Sequence, residues 1–123
     1  MNGKQPKTKK PMASFERFDV VRVPFPFTDR QAEKNRPALV LSDATAFNRP
    51  AGHSVMAMIT SAGHAPWPLD VRIGALDAAG LPVASILRLK LFTLDHRLVR
   101  GKLGRLAPAD QAKARKAIRR LLP

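Results

Sequence analysis

Proline and glycine interrupt the middle of this chain so often that only short elements fit there. Pro24 and Pro26, Pro50 and Gly52, Gly63, Pro66 and Pro68, and Gly80 and Pro82 fall between apolar segments of five to ten residues. Such segments, rich in Val, Ile and Leu and bounded by breakers, read as strands. FDVVRVPF (Phe18–Phe25) is the first, and Pro24 and Pro26 unsuit it to the centre of a sheet. PALVLS (Pro37–Ser42) and SVMAMIT (Ser54–Thr60) follow as buried strands, and LDVRI (Leu69–Ile73) as a short alternating one. Thr28–Asn35 and Asp43–His53 read as loops, and AGLPV (Ala79–Val83) as a turn. SILRLKLFTL (Ser85–Leu94) alternates, with Ile86, Arg88, Lys90 and Phe92 on one face and Leu87, Leu89 and Leu91 on the other. Two cations on one face suit contact with solvent or phosphate.

The period changes at Pro108, a residue suited to a first helical position. Ala114, Ile118, Leu121 and Leu122 recur at helical spacing, while Lys113, Lys116 and Arg120 form a separate basic stripe. An amphipathic helix over about Pro108–Leu122 is expected to close the chain. Five or six short strands and one terminal helix predict a mainly β fold with a C-terminal helix, curled into a small barrel.

Length and composition narrow the function. The 123 residues fit one domain, expected over 15–123, behind a basic arm at 1–14 that reads as disordered, with Met12 an alternative start. The absence of cysteine excludes disulfides, thiolate metal sites and cysteine nucleophiles, and fits a cytoplasmic setting. No apolar run is long enough to span a membrane, and no apolar segment follows the basic N-terminus as in a secretory signal. The net charge is +13 and sits at the ends: +4 in residues 1–14, +8 in residues 97–123 and only +1 between them. Clustered cations point to a polyanion, because neutralised phosphates release counterions. A solubilising surface is the plainer reading of the same charge.

The familiar catalytic motifs are missing. No glycine-rich phosphate loop opens a helix, and His53, His64 and His96 lack metal-ligand spacing. What remains is Arg36, held extended at a loop–strand junction by Pro37, and the hydroxyls of Thr60 and Ser61 at a strand end. A guanidinium forks onto a phosphate through two hydrogen bonds, and a hydroxyl adds a third. RNA carries its own nucleophile, the 2′-OH, so aligning it and stabilising the phosphorane requires no metal and no cofactor. A surface ion pair for the arginine and plain β-propensity for the threonine also account for these residues.

At these same residues the chain resembles the MazF/PemK family of toxin endoribonucleases. The stretches are DVVRVPFPFTD (Asp19–Asp29), NRPALVLSD (Asn35–Asp43), MITSA (Met58–Ala62), WPLDVRI (Trp67–Ile73), SILRLKLFTLDHRL (Ser85–Leu98) and KLGRL (Lys102–Leu106). The resemblance implies the SH3-like curled barrel of MazF-, PemK- and CcdB-like toxins, a homodimer, and a cognate acidic antitoxin. It implies metal-independent cleavage of single-stranded RNA that leaves a cyclic or 3′-phosphate and a 5′-hydroxyl. It assigns catalysis to Arg36 and Thr60, with Ser61 beside it. Lys34, Trp67, Arg88 and Lys90 are then the expected RNA contacts. Trp67 is a candidate base-stacking ring or a packed loop aromatic. His64 is a candidate acid or base or an exposed loop histidine, and Asp19 a candidate orienter of Arg36 or a plain solubilising charge. The family commonly has glycine where this chain has Phe18. Two other functions remain open on the sequence: a non-catalytic nucleic-acid-binding barrel, and a topoisomerase-directed toxin of the same fold.

Overall fold

The short apolar segments form six strands: β1 (Asp19–Phe25), β2 (Lys34–Val40), β3 (His53–Ser61), β4 (Val71–Arg72), β5 (Ser85–Asp95) and β6 (Lys102–Arg105). A computed structural model of the chain describes residues 15–25 and 34–123; the arm at 1–14 and most of the loop expected from Thr28 lie outside them. The strands make one antiparallel sheet in the order β4-β5-β3-β2-β1-β6. Its register slips between Ala57 and Met58 against β5, and between Val20 and Val21 against β6. Slips of this kind increase local twist, and the sheet curls into a half-barrel.

The two edges of the half-barrel are joined by a helical turn, α2 (Leu76–Ala79), which follows β4 and packs on β6. The approach is close enough to exclude a side chain. A Cβ on Gly104 of β6 would collide with the Ala78 carbonyl, and one on Gly80 with the Leu103 carbonyl. Gly80 also ends α2 at φ +71°, which glycine adopts without strain.

Alternation gives the sheet two buried faces. Val20, Leu39, Ala57, Ile59, Leu87 and Leu89 form one core, covered by α3 (Pro108–Leu121) through Ala114 and Ala117. Asp110, in the first turn of α3, accepts hydrogen bonds from the Gly74 and Ala75 N–H groups at 2.9 Å each, which ties the helix to the loop before α2. Burial pushes its carboxyl up, but those two bonds and Lys113 outweigh this and hold it below the usual range. On the other face Val21, Val23, Ala38, Val40, Met56 and Leu94 pack with Phe15. Phe18, just before β1, is buried at φ +76°, and the guanidiniums of Arg17 and Arg115 lie over its ring at 4.8 and 4.9 Å.

Several boundaries differ from expectation. β2 begins at Lys34 rather than Pro37, because Lys34, Asn35 and Arg36 pair with Phe25, Pro24 and Val23. β3 joins β2 only from Ala38, so Pro37 sits where β2 has one neighbour. Pro24 lies beyond the last β1–β6 pair, Val21–Lys102, so its missing N–H interrupts no ladder among the described residues. The expected strand Leu69–Ile73 shrinks to Val71–Arg72; Leu69 has φ +65° and the Asp70 side chain is engaged elsewhere. Asp43–His53 holds a π-helical turn (Ala44–Asn48) and α1 (Arg49–Ala51), started by Asp43 accepting from the Ala46 N–H at 2.7 Å.

Candidate active site

Arg36 and Thr60 meet because of strand register. β2 and β3 pair from Val40–Met56 to Ala38–Met58, where the ladder stops, and Arg36 and Thr60 each lie two residues beyond that last pair, on either side of the gap. The gap is a pocket of about 180 Å3 whose lining includes Arg36, Thr60, Met58, Phe25, His64, Arg88 and Lys90. All but His64 lie in strands, so rigid elements position the cations and the hydroxyl. The expected alternation of β5 holds here: Arg88 faces the pocket together with Lys90, and Leu87 faces the core opposite.

Arg36 is half-buried, and its Nε is fully buried without a hydrogen-bond partner among the described residues. A buried donor without a partner costs ~1–3 kcal/mol, and Arg17, outside the pocket lining, has an Nε in the same state. Asp19 does not orient Arg36. It is buried at the start of β1, where Arg105 donates to it at 3.0 Å and Lys102 lies at 3.2 Å. The residue beside Arg36 on β1 is Val23.

Thr60 and Ser61 part company. Successive residues of a strand point to opposite faces, so Thr60 lines the pocket and Ser61, beside Ser85 at the sheet end, does not. Lys34 is exposed, two residues before Arg36 on the same face of β2, and is not among the pocket lining. His64 is exposed at the pocket rim. Among the described residues no three His, Asp or Glu side chains gather as metal ligands, and no helix is long and apolar enough to cross a membrane.

Trp67 stands beside the pocket, 44% exposed, with Lys90 Nζ 4.7 Å and the Arg88 guanidinium 5.8 Å from its ring centroid. Asp70 organises this group. Arg88 donates to both its carboxylate oxygens, at 3.2 and 2.9 Å, and the Trp67 N–H donates at 2.9 Å. Arg88 also donates to the Ala65 carbonyl at 2.7 Å. Burial pushes the Asp70 carboxyl up, but these bonds and the charge of Arg88 outweigh it and hold it below the usual range. The same hydrogen bond raises the Arg88 guanidinium. Sequence reasoning missed Asp70, since a lone carboxylate next to Trp-Pro-Leu carries no spacing signal for an ion pair 18 residues away.

A half-barrel of this topology with a terminal helix is the fold of MazF-type toxins. It superposes on a mycobacterial endoribonuclease in complex with its cognate antitoxin with a TM-score of 0.70 and 23% identity, over 90% of this chain and 95% of that one. MazF from Deinococcus radiodurans gives a TM-score of 0.69 and 26% identity over 89% of this chain and 97% of that one, and a MazE–MazF complex from that organism gives 0.70 and 26% over the same shares. No curated protein matches by sequence. Residues 16–122 match the family of PemK-like, MazF-like toxins of type II toxin–antitoxin systems. The chain belongs to that family.

Proposed function

We propose that this toxin is an endoribonuclease that cleaves single-stranded RNA in the pocket between β2 and β3. The observation that carries the reading is the pocket that brings Arg36 and Thr60 together with His64, Arg88 and Lys90. A scissile phosphate there accepts from the Arg36 guanidinium, and the Thr60 hydroxyl donates to a second non-bridging oxygen. The adjacent 2′-oxygen attacks phosphorus and the P–O5′ bond breaks, leaving a 2′,3′-cyclic phosphate and a 5′-hydroxyl. The 2′-OH proton leaves, and the O5′ atom gains one, through His64 and water. Arg36 stabilises the charge that builds on the phosphorane, and that differential stabilisation lowers the barrier. No step calls on a metal.

Trp67 offers an exposed ring on which a flanking base stacks, a contact worth ~1–3 kcal/mol in single-strand binders. Lys90 beneath it, and Lys34 further along β2, take neighbouring phosphates. Ser61, on the far face, has no part. The relatives' complexes with antitoxins support a cognate antitoxin for this chain; that the antitoxin is acidic, the toxin homodimeric and its setting cytoplasmic, with messenger RNA as the target, are parts of the same reading that rest on the family resemblance alone. Incubation with a long RNA in EDTA tests the reading. Fragments with 5′-hydroxyl ends, lost when the scissile 2′-OH is replaced by hydrogen, are expected. Binding without cleavage would instead leave a nucleic-acid-binding barrel.

A further inference from the structure

Lys113, Lys116 and Arg120 line a second cavity, of about 240 Å3, between α3 and the segment Leu69–Val71. Asp70 lies in its wall, while the partner of Asp70, Arg88, lies in the wall of the first pocket. The Asp70–Arg88 ion pair therefore reaches from the wall of one cavity to the wall of the other. Asp70 does not give the second cavity an acidic character, because Arg88 and the Trp67 N–H already occupy both its oxygens. Lys113 is held by Asp110 at 3.3 Å and donates to the Arg72 carbonyl at 2.7 Å. Lys116 and Arg120 have no carboxylate partner among the described residues. They stand one turn apart on the helix, an arrangement of like charges that destabilises a helix on its own.

From this juxtaposition we infer that the α3 cavity is a second phosphate-binding subsite, which holds the backbone of the RNA strand flanking the cleaved nucleotide. The inference rests on the ribonuclease reading and extends it. A strand leaving the first pocket passes Trp67, whose ring lies over Lys90, and reaches Lys116 and Arg120 beyond the Asp70–Arg88 pair. Those two side chains then neutralise phosphates rather than repel each other. The subsite predicts an affinity that grows with the length of RNA on one side of the cleavage point.

The test uses non-cleavable oligonucleotides with a 2′-deoxy scissile residue and flanks of increasing length, bound to the full chain and to K116Q/R120Q at several salt concentrations. Wild type is expected to gain affinity stepwise as one flank lengthens. The double variant should lose those steps, and its log–log salt slope on the long oligonucleotide should fall by up to ~1.4, about 0.7 for each phosphate that is no longer neutralised. An unchanged melting temperature shows that the variant folds. Equal length dependence and equal slopes in the two proteins would overturn the subsite, while cleavage by wild type leaves the ribonuclease reading intact. A deficit in the variant confined to an acidic antitoxin peptide would also overturn it and give the cavity to that partner. If wild type neither binds nor cleaves RNA, the ribonuclease reading itself fails.

Discussion

Replacing Arg36 should separate activity from stability. Its guanidinium is the charge stabiliser proposed for the phosphorane, and loss of one such preorganised group typically costs 10²–10³ in rate, about 2.7–4 kcal/mol. The folded state gains nothing comparable from it. The buried Nε has no partner among the described residues, so removing it relieves a desolvation cost of ~1–3 kcal/mol. Arg36→Met keeps an apolar stem of similar reach. Arg36→Ala also gives up half-buried methylenes worth roughly 0.8 kcal/mol each when fully buried. Arg36→Met should therefore cleave 10²–10³-fold more slowly and melt several degrees higher, and Arg36→Ala should be equally slow with a melting temperature near wild type. Single-turnover cleavage of an oligonucleotide carrying one ribonucleotide, in EDTA, gives the rate. Thermal denaturation gives the stability. If Arg36→Met cleaves within threefold of wild type, or melts well below it, Arg36 is a structural cation and the site is misassigned.

Asp70→Ala should raise KM severalfold with a smaller change in kcat, because it frees Arg88 and the Trp67 loop, which position RNA, and leaves Arg36 and Thr60 in place; steady-state kinetics on a short RNA decides. Gly104→Ala should destabilise the chain by ~1–3 kcal/mol, since its Cβ meets the Ala78 carbonyl where α2 bridges the sheet edges; denaturant titration measures it. Acid should weaken the fold in two stages. His96 is buried with Nε2 2.7 Å from Ser54 Oγ, and burial, helped by His53, depresses its pKa from 6.5. The unfolded chain thus takes a proton first, and stability is full above pH 6.5 and falls as pH drops below it. Asp70, Asp95 and Asp110 are depressed from 3.8, so their contribution is lost only below about that pH. Melting temperature against pH should show both stages, and His96→Gln should remove the upper one.

How much of the molecule is legible in its sequence depends on range. The alternation of β5 is legible because period two is a local property, and it correctly puts Arg88 and Lys90 on one face. The helix from Pro108 is legible for the same reason. β6 is not, because four residues containing a glycine carry too little pattern, and their place is set by α2 from across the sheet. Arg36 reads as a loop–strand junction because its strand partners lie on β1, and the sequence between the two strands carries no hairpin signature. Thr60 and Ser61 read as a pair although strand geometry sends neighbours to opposite faces. Asp19 invites pairing with the wrong arginine: its partner, Arg105, lies 86 residues away.

Phe18 narrows how this toxin can diverge. Its backbone occupies a conformation suited to glycine, while its ring fills the core and sits between two guanidiniums, one from its neighbour and one from the terminal helix. Phe18→Gly would relax the backbone by the ~1–2 kcal/mol that the left-handed region costs other residues. It would also empty a buried aromatic site, which typically costs about 3–5 kcal/mol. A large aliphatic residue keeps the strain and loses the stacked cations. Single steps away from phenylalanine are therefore uphill, and a relative with glycine at this point would need the space refilled from Arg17, Arg115 or the helix. Position 18 and the face of α3 that covers it thus form one heritable unit, so chimaeras that exchange α3 alone between this chain and a glycine-bearing relative should fold worse than either parent.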